Sequence, residues 1–176
     1  MDVDMRYPIG KYERADSLTL AQRAACIDTI DETPSHLAAA IAGLTDTQLD
    51  TPYRPGGWTV RQVVHHLADS HMQAYARFKF ALAENEPTIK AYDEAVWAEI
   101  ADAKTAPVEI SLALLENLHQ RWVILLRSLS DSDLARTYRH PERGVVKLEE
   151  NIGLCAWHGW HHVAHISFLR EQKSWK

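Results

Sequence analysis

The 176-residue chain has few of the features that mark secreted, membrane or redox proteins. Cysteine occurs only as Cys26 and Cys155, which are far apart and form no Cys-x-x-Cys pair, so we expect no disulfide framework and a reducing, cytoplasmic location. The segment Met1–Arg6 is polar and lacks the apolar centre of a signal peptide. No later apolar run is long enough to cross a bilayer, so we expect no membrane partner.

Basic clusters are missing as well. The chain carries 19 basic and 24 acidic side chains, for a formal net charge of −5. It shows no run or stripe of Lys and Arg of the kind that binds a phosphate backbone, so we expect no nucleic-acid partner. The length and the ordinary soluble composition predict one domain over residues 1–176.

What the chain does have is helical periodicity. Apolar residues recur at helical spacing in four long segments, which run from about Ser17 to Gly43, Thr59 to Ala83, Pro107 to Leu129 and Leu148 to Glu171. Pro34 predicts either a kink in the first helix or a second start. Thr59 and Gln62 have the spacing of a capping box at the start of the second.

The connecting segments carry no convincing set of strands. Thr51–Gly57 is rich in Pro and Gly and predicts a loop, and a short helix is expected over Asp93–Ala101. A short extra turn is expected between Ser130 and Thr137, and Tyr138–Lys147 predicts a loop or a small hairpin. The fold class is therefore all-α, a four-helix bundle, and such bundles build metal sites from inward side chains on facing helices.

Histidine is abundant, with ten copies, and four of them lie in the last helix. At about 100° per residue, His158, His161, His162 and His165 fall within an arc of roughly 100°. Neutral imidazole is the commonest protein ligand of zinc, nickel and similar ions. Spacing alone offers two i, i+4 pairs, His158 with His162 and His161 with His165.

A third ligand would have to come from another helix. The second helix offers His65 or His66, and three ligands leave a coordination position open for water or substrate. A thiolate from Cys155, one turn before His158, is a weaker candidate, because a small buried hydrophobe is the ordinary role of such a cysteine. The competing interpretation is a polar patch or a subunit contact without metal, and spacing does not choose among these.

Two motifs resemble the hallmark stretches of the DinB-like superfamily. They are Arg54–His71, with the sequence RPGGWTVRQVVHHLADSH, and Trp157–Ile166, with the sequence WHGWHHVAHI. The closer similarity is to the YfiT branch, a group of metal-dependent hydrolases related to bacillithiol S-transferases. Tyr7–Tyr12 and Tyr92–Glu94 are also similar to that branch, so the resemblance extends over nearly the whole chain.

The resemblance implies a four-helix bundle that binds one divalent ion, nickel or zinc, through three histidines. Carried over by position, the ligands are His66, His158 and His162, and His161 and His165 become their neighbours. The resemblance also implies a homodimer.

Such a site predicts a metal-dependent hydrolase acting on an amide, an ester or a similar bond of a small-molecule substrate. The His-Glu-x-x-His pattern of zincin proteases is absent because Gly159 follows His158. Asp69, one turn past the second-helix histidines, is the candidate catalytic residue, since it could orient an imidazole or carry a proton; a surface salt bridge is its ordinary alternative. Asp93 and Glu94 could lie on a loop over the site.

Two other activities fit the same residues. A metal-dependent S-transferase would bind a low-molecular-weight thiol similar to bacillithiol, and Arg54 and Lys11 could hold its carboxylates. A non-enzymatic, metal-binding stress protein would also contain the ion. Trp58, Trp157 and Trp160 could wall a substrate pocket, although aromatic side chains at this spacing more often belong to the core.

Overall fold

Four long helices form the body of the molecule. The structure is a computed structural model that describes residues 4–15 and 17–175; residues 1–3 of the polar N-terminal segment lie outside this part. The long helices are α1 (Leu20–Ile41), α3 (Val60–Ala83), α6 (Val108–Ser128) and α8 (Leu148–Gln172). Helix α1 packs on α8 and α6, and α3 packs on α6 and α8, which closes a four-helix bundle.

Shorter elements connect these helices. They are α2 (Asp46–Leu49), α4 (Glu94–Ala98), α5 (Ala101–Thr105), α7 (Asp131–Leu134) and a two-stranded antiparallel hairpin of β1 (Thr137–His140) and β2 (Gly144–Lys147). The hairpin was one of the two predicted alternatives for this segment. The single short helix expected over residues 93–101 is instead two helices, α4 and α5, and α2 was not predicted.

The starts of α1 and α3 follow local sequence rules. Thr59 and Gln62 form the predicted capping box at the start of α3, and Thr19 and Gln22 form the same motif at α1. Pro34 neither ends nor restarts α1, because the helix runs through it. A proline inside a helix leaves the carbonyl four residues earlier without its usual amide donor.

The hydrophobic core has two parts. One is centred on Trp122, Phe78 and Ile152, and the other on Leu37, Leu67 and Ile166. Along α3, α6 and α8, histidines interrupt the apolar residues between these two parts. His66, His71, His119 and His162 are buried, and His158 is partly buried. The candidate site therefore lies in a polar layer at mid-height of the bundle. No helix in the described part of the chain is long and apolar enough to span a membrane.

Candidate metal centre

Helices α3 and α8 bring three imidazoles together. His66 comes from α3, and His158 and His162 lie one turn apart on α8. One ring nitrogen from each residue lies within 4.8 Å of the others, and Nε2 of His66 lies 3.2 Å from Nε2 of His158. These are the three residues that the family resemblance implied as ligands.

The spacing and the donor type fit a divalent transition-metal ion. For tetrahedral Zn²⁺ with Zn–N bonds of about 2.05 Å, two imidazole nitrogens would lie about 3.4 Å apart. The observed 3.2 Å between His66 and His158 is close to that separation. Three imidazole nitrogens suit zinc, nickel, copper or iron better than magnesium or calcium, which prefer oxygen.

The three rings are neutral at physiological pH and so present lone pairs. Burial lowers the pKa of His66 to about 4. Burial is also the main reason why the pKa values of His158 and His162 lie well below their usual value, and the neighbouring histidines lower them further. A metal ion therefore has no ligand proton to displace at neutral pH.

The other pair in the last helix, His161 and His165, lies beside the ligands. The His161 ring stacks on Trp157 at 4.4 Å between centroids. The His165 ring stacks on Tyr53 at 4.0 Å, and its Nδ1 lies 3.4 Å from Nδ1 of His162. His165 therefore contacts the His162 ring and is not one of the three residues whose nitrogens cluster.

The remaining sequence candidates for ligands have other contacts. Nδ1 of His65 lies 2.7 Å from the Ser111 hydroxyl, and its Nε2 lies 3.1 Å from the carbonyl oxygen of Ala106, so this ring joins α3 to residues on and just before α6. Cys155 lies in the apolar core, where burial raises the pKa of its thiol to about 12. A thiol with that pKa is a hydrophobic core group rather than a thiolate ligand.

A cavity of about 300 Å³ opens beside the three ligands. Its walls include the aromatic rings of Trp58, Tyr92 and Trp157. The Trp58 ring lies 4.6 Å from that of His66 and 6.3 Å from that of His162, so it covers one side of the ligand cluster. Trp160, the third tryptophan expected in the pocket wall, instead packs on His36 of α1 at 4.5 Å.

Two predicted acidic residues do not line this cavity. Asp69 is half-buried, and its pKa is raised first by burial and then by the nearby charge of Asp102. Among the described residues, no hydrogen bond joins Asp69 to a histidine, so the structure gives its catalytic role no contact. Asp93 is exposed and caps α4 by accepting from the Val96 amide at 3.0 Å. Its neighbour Glu94 does line the cavity.

The cationic groups are also placed differently from the expectation. The Arg54 guanidinium lies over the Tyr53 ring and donates to the Pro55 carbonyl, and Lys11 lies over the ring of Tyr7. Neither lines the cavity with the three ligands; Arg77 does, and its buried Nε has no hydrogen-bond partner within the described residues.

Sequence reasoning missed Arg77 for an identifiable reason. Positions 66, 70 and 77 are four and seven residues apart, which puts them on one face of α3, so a helical wheel would have placed Arg77 with His66. The family-like motif Arg54–His71 ends before this position, so the motif does not include Arg77. His119 was also missed, and a lone histidine in an apolar helix carries no signal of its own.

The chain is similar to proteins of one known family. The model of the DinB superfamily matches residues 29–166. Proteins of Bacillus mycoides (strain KBAB4) and Bacillus anthracis (strain A0248), both named "putative metal-dependent hydrolase", are 54% identical over 172 residues, which covers 98% of this chain and 99% of each relative.

Solved structures show the same architecture. YfiT from Bacillus subtilis, described as "a probable metal-dependent hydrolase with an unusual four-helix bundle topology", matches with a TM-score of 0.96 and 49% identity over 99% of this chain and 100% of YfiT. TT2238, a four-helix bundle protein, matches with a TM-score of 0.55 at 18% identity over 86% of this chain and 98% of its own, which supports the fold alone. From its sequence motifs, its fold and the extent of these matches, the chain belongs to the DinB superfamily.

Proposed function

We propose that this protein is a metal-dependent hydrolase that binds one divalent ion, zinc or nickel, through His66, His158 and His162. The observation that carries the proposal is the convergence of three neutral imidazoles on one point beside a cavity large enough for a small substrate. An ion held by neutral ligands keeps its full charge, so it can polarise a substrate carbonyl and lower the pKa of a coordinated water to about 7.

The walls of the cavity supply binding and proton transfer. Trp58 and Trp157 offer flat apolar surfaces against which a substrate can pack. Glu94 and Glu142 are the carboxylates among the lining residues, and we propose that one of them accepts the proton released when water attacks. They replace Asp69 as the candidate base because they share the cavity with the ligands and Asp69 does not.

A substrate screen tests the hydrolase proposal. Zinc- and nickel-loaded protein should hydrolyse members of a panel of small esters and amides without added thiol, and His158→Ala should remove the activity together with the metal. The matched control is His65→Ala, which alters a buried histidine on the same bundle whose contacts are with Ser111 and Ala106. Equal turnover by the His158→Ala and wild-type proteins would contradict the proposal.

The proton acceptor can be identified in the same assay. Replacement of the true base by its amide should lower kcat by about 10²- to 10⁴-fold, the usual contribution of general-base catalysis. Glu94→Gln and Glu142→Gln are made separately, and each is checked for wild-type metal content. Wild-type kcat in both variants would exclude both carboxylates.

A metal-dependent S-transferase is the second candidate, and Arg77 is the observation that favours it. Arg77 is a cationic residue that lines the cavity with the three histidines, so its charge could hold a carboxylate of a low-molecular-weight thiol such as bacillithiol. In such a transfer the thiol loses its proton, its sulfur bonds to the electrophile, and a leaving group departs.

Thiol consumption separates the two activities. A transferase consumes one thiol for each electrophile converted and is inactive without thiol, whereas a hydrolase is indifferent to thiol. Arg77→Gln should raise the KM for a carboxylate-bearing thiol by about 10- to 100-fold, the effect of losing one charge-assisted hydrogen bond. The KM for a neutral thiol should not change. A protein that binds metal but turns over neither class would fit the stress-protein alternative. The homodimer and the cytoplasmic location stay predictions.

A further inference from the structure

His71 and His119 do not line the cavity beside the three clustered histidines. They form a buried series of hydrogen-bonded rings that ends at the proposed ligand His158. Nδ1 of His158 lies 3.3 Å from Nε2 of His71, and Nδ1 of His71 lies 2.7 Å from Nε2 of His119. Nδ1 of His119 lies 2.6 Å from the backbone oxygen of Ile30 in α1. The series therefore connects three helices, α1, α6 and α3, to the ligand on α8.

Pro34 leaves the Ile30 carbonyl, at the end of this histidine series, without its usual helical donor. In an uninterrupted helix the Ile30 carbonyl would accept the amide hydrogen of residue 34, but proline has none. His119 takes the place of that donor. One residue of α1 thus creates the acceptor to which the histidines are anchored.

The anchor fixes the direction of every hydrogen bond in the series. A backbone carbonyl can only accept, so Nδ1 of His119 carries the hydrogen and its Nε2 carries a lone pair. Nδ1 of His71 must then donate to His119, which leaves Nε2 of His71 as an acceptor. Nδ1 of His158 donates to that acceptor, and Nε2 of His158 keeps its lone pair.

The burial of His71 and His119 excludes water and a second ring hydrogen, either of which would change the directions of these hydrogen bonds. His71 and His119 are each 1% exposed, and the fully buried Trp122 ring meets both at centroid distances of 5.8 and 5.7 Å, so water has little access to either ring. Burial also lowers the pKa of His119 to about 4, which keeps it neutral with a single ring hydrogen. Each ring therefore has one donor and one acceptor.

From this geometry we infer that His71 and His119 are positioning residues for the metal site. They hold His158 as the Nδ1–H tautomer, with the Nε2 lone pair directed at the point that it shares with Nε2 of His66, 3.2 Å away. Without an acceptor at position 71, the His158 ring is free to carry its hydrogen on Nε2, where it blocks metal binding. The inference rests on the proposed metal site but not on the reaction catalysed there.

The two proposed ligands on α8, His158 and His162, differ in how well hydrogen bonds hold their rings in one tautomer. Among the described residues, Nδ1 of His162 has a single polar contact, at 3.4 Å from Nδ1 of His165, and Nε2 of His165 is buried without a partner. That contact is longer than the 2.6 to 3.3 Å links that join His158 through His71 and His119 to the Ile30 carbonyl. His158 is consequently the ligand whose tautomer the fold itself determines.

The first experiment needs no metal. In ¹⁵N-histidine-labelled, metal-free protein, long-range ¹H–¹⁵N correlation spectra report which ring nitrogen carries the hydrogen. The expected result is that His158, His71 and His119 are all Nδ1–H tautomers. An Nε2–H tautomer at His158 in the wild-type protein would overturn the inference.

The second experiment compares two substitutions at one position. His71→Gln keeps both functions, because its amide can donate to His119 while its oxygen accepts from His158, whereas His71→Met fills similar space without a comparable acceptor. His71→Met should lower Zn²⁺ affinity, measured by chelator competition, by about 10- to 100-fold, the usual effect of losing the partner of a ligating histidine. His71→Gln should stay within about threefold of the wild type, well inside that range.

Controls separate positioning from packing. His65→Met makes the same change at a buried histidine of α3 that hydrogen-bonds elsewhere, so it should change stability but not Zn²⁺ affinity. Equal losses in the Met and Gln variants, or wild-type affinity in a folded His71→Met protein, would refute the positioning role. If His71→Met does not fold, His119→Met and His119→Gln repeat the comparison one residue further from the metal.

The failure of the metal site and the failure of this inference give different results. Wild-type protein that binds no zinc or nickel would refute the proposed function, and the tautomers in the metal-free protein would still be measured. Wild-type protein that binds metal while His158 carries its hydrogen on Nε2 before binding would refute the inference alone.

Discussion

Identical side chains have three distinct roles in this bundle. His66 and His158 face each other through ring nitrogens that lie 3.2 Å apart, which is a ligand arrangement. In the proposed arrangement His71 accepts a hydrogen bond from His158 and donates one to His119. His65 joins two helices through a hydroxyl and a carbonyl and takes no part in the site. The partner of each ring nitrogen, rather than the residue type, decides the role.

These roles predict different metal contents for single alanine variants. His66→Ala, His158→Ala and His162→Ala should each lose most of the bound metal, because two imidazoles hold a divalent ion much more weakly than three. His165→Ala should keep most of its metal at saturating concentration, because it removes the 3.4 Å contact with His162 and the stacking on Tyr53 but none of the three clustered nitrogens. Elemental analysis of the four purified proteins, after equal dialysis, provides the measurement.

Other metal contents would contradict the assignment of His158 and His162 as ligands. Full metal occupancy in the His158→Ala protein, or loss of metal from His165→Ala but not from His162→Ala, would mean that the other i, i+4 pair on α8 holds the ion. Far-ultraviolet circular dichroism confirms that each variant is still helical before its metal content is interpreted.

At the scale of elements, the site depends on how closely α1 and α8 approach. Gly159 follows the ligand His158 and faces Thr33 of α1. A Cβ atom at Gly159 would lie 2.6 Å from Oγ1 and 2.8 Å from Cγ2 of Thr33. The absence of a side chain at position 159 therefore sets the distance between the helix that carries two ligands and the helix that carries the Ile30 anchor.

Gly159→Ala should consequently destabilise the protein although alanine is the better helix former. We expect a loss of about 1 to 3 kcal/mol in the free energy of unfolding, the usual cost of overpacking. In the Thr33→Ala background both clashing atoms are gone, so the cost should fall by more than half and the helix propensity of alanine, about 1 kcal/mol, should oppose what remains. Urea denaturation of the four proteins of this double-mutant cycle measures the coupling.

An additive cycle would show that the close approach of Gly159 to Thr33 does not limit packing. Zn²⁺ affinity measured on the same proteins adds a second readout, since a displaced α8 moves His158 and His162 relative to His66. Affinity should fall in Gly159→Ala and recover in the double variant.

At the scale of the whole molecule, the sequence predicts the architecture better than it predicts the site. Helical periodicity gave the four long helices, and the capping box at Thr59 gave the start of α3. These features depend on contacts within a few residues. Helix α2 was missed because its four residues are too short for periodicity to show.

The site required information that only tertiary packing supplies. Helical spacing placed four histidines on one face of α8 but could not choose a pair, and the family resemblance, rather than geometry, selected His158 and His162. Asp69 follows His66 by one turn, but it does not line the cavity, and burial and then the charge of Asp102 raise its pKa. The link from Pro34 through Ile30 to His119 spans 89 residues between its last two members, and no local pattern reveals it.

The polar layer also makes the fold sensitive to acid in the metal-free state. Burial lowers the pKa values of His66 and His119 to about 4, whereas in the unfolded chain they are near 6.5. Between these values the unfolded state binds more protons than the folded state, so stability is complete above about pH 6.5 and falls as the pH decreases. Each such histidine contributes up to about 1.4 kcal/mol per pH unit in this range.

Urea denaturation of the metal-free protein at pH 7.5, 6.5 and 5.5 should therefore show a falling free energy of unfolding. His119→Gln preserves the donor to Ile30 but cannot take up a proton, so its slope between pH 6.5 and 5.5 should be smaller by about 1 kcal/mol per pH unit. A free energy of unfolding that is constant, or that rises, as the pH falls through this range would show that the histidine layer is charged in the folded protein, which is incompatible with its role as a set of metal-binding lone pairs.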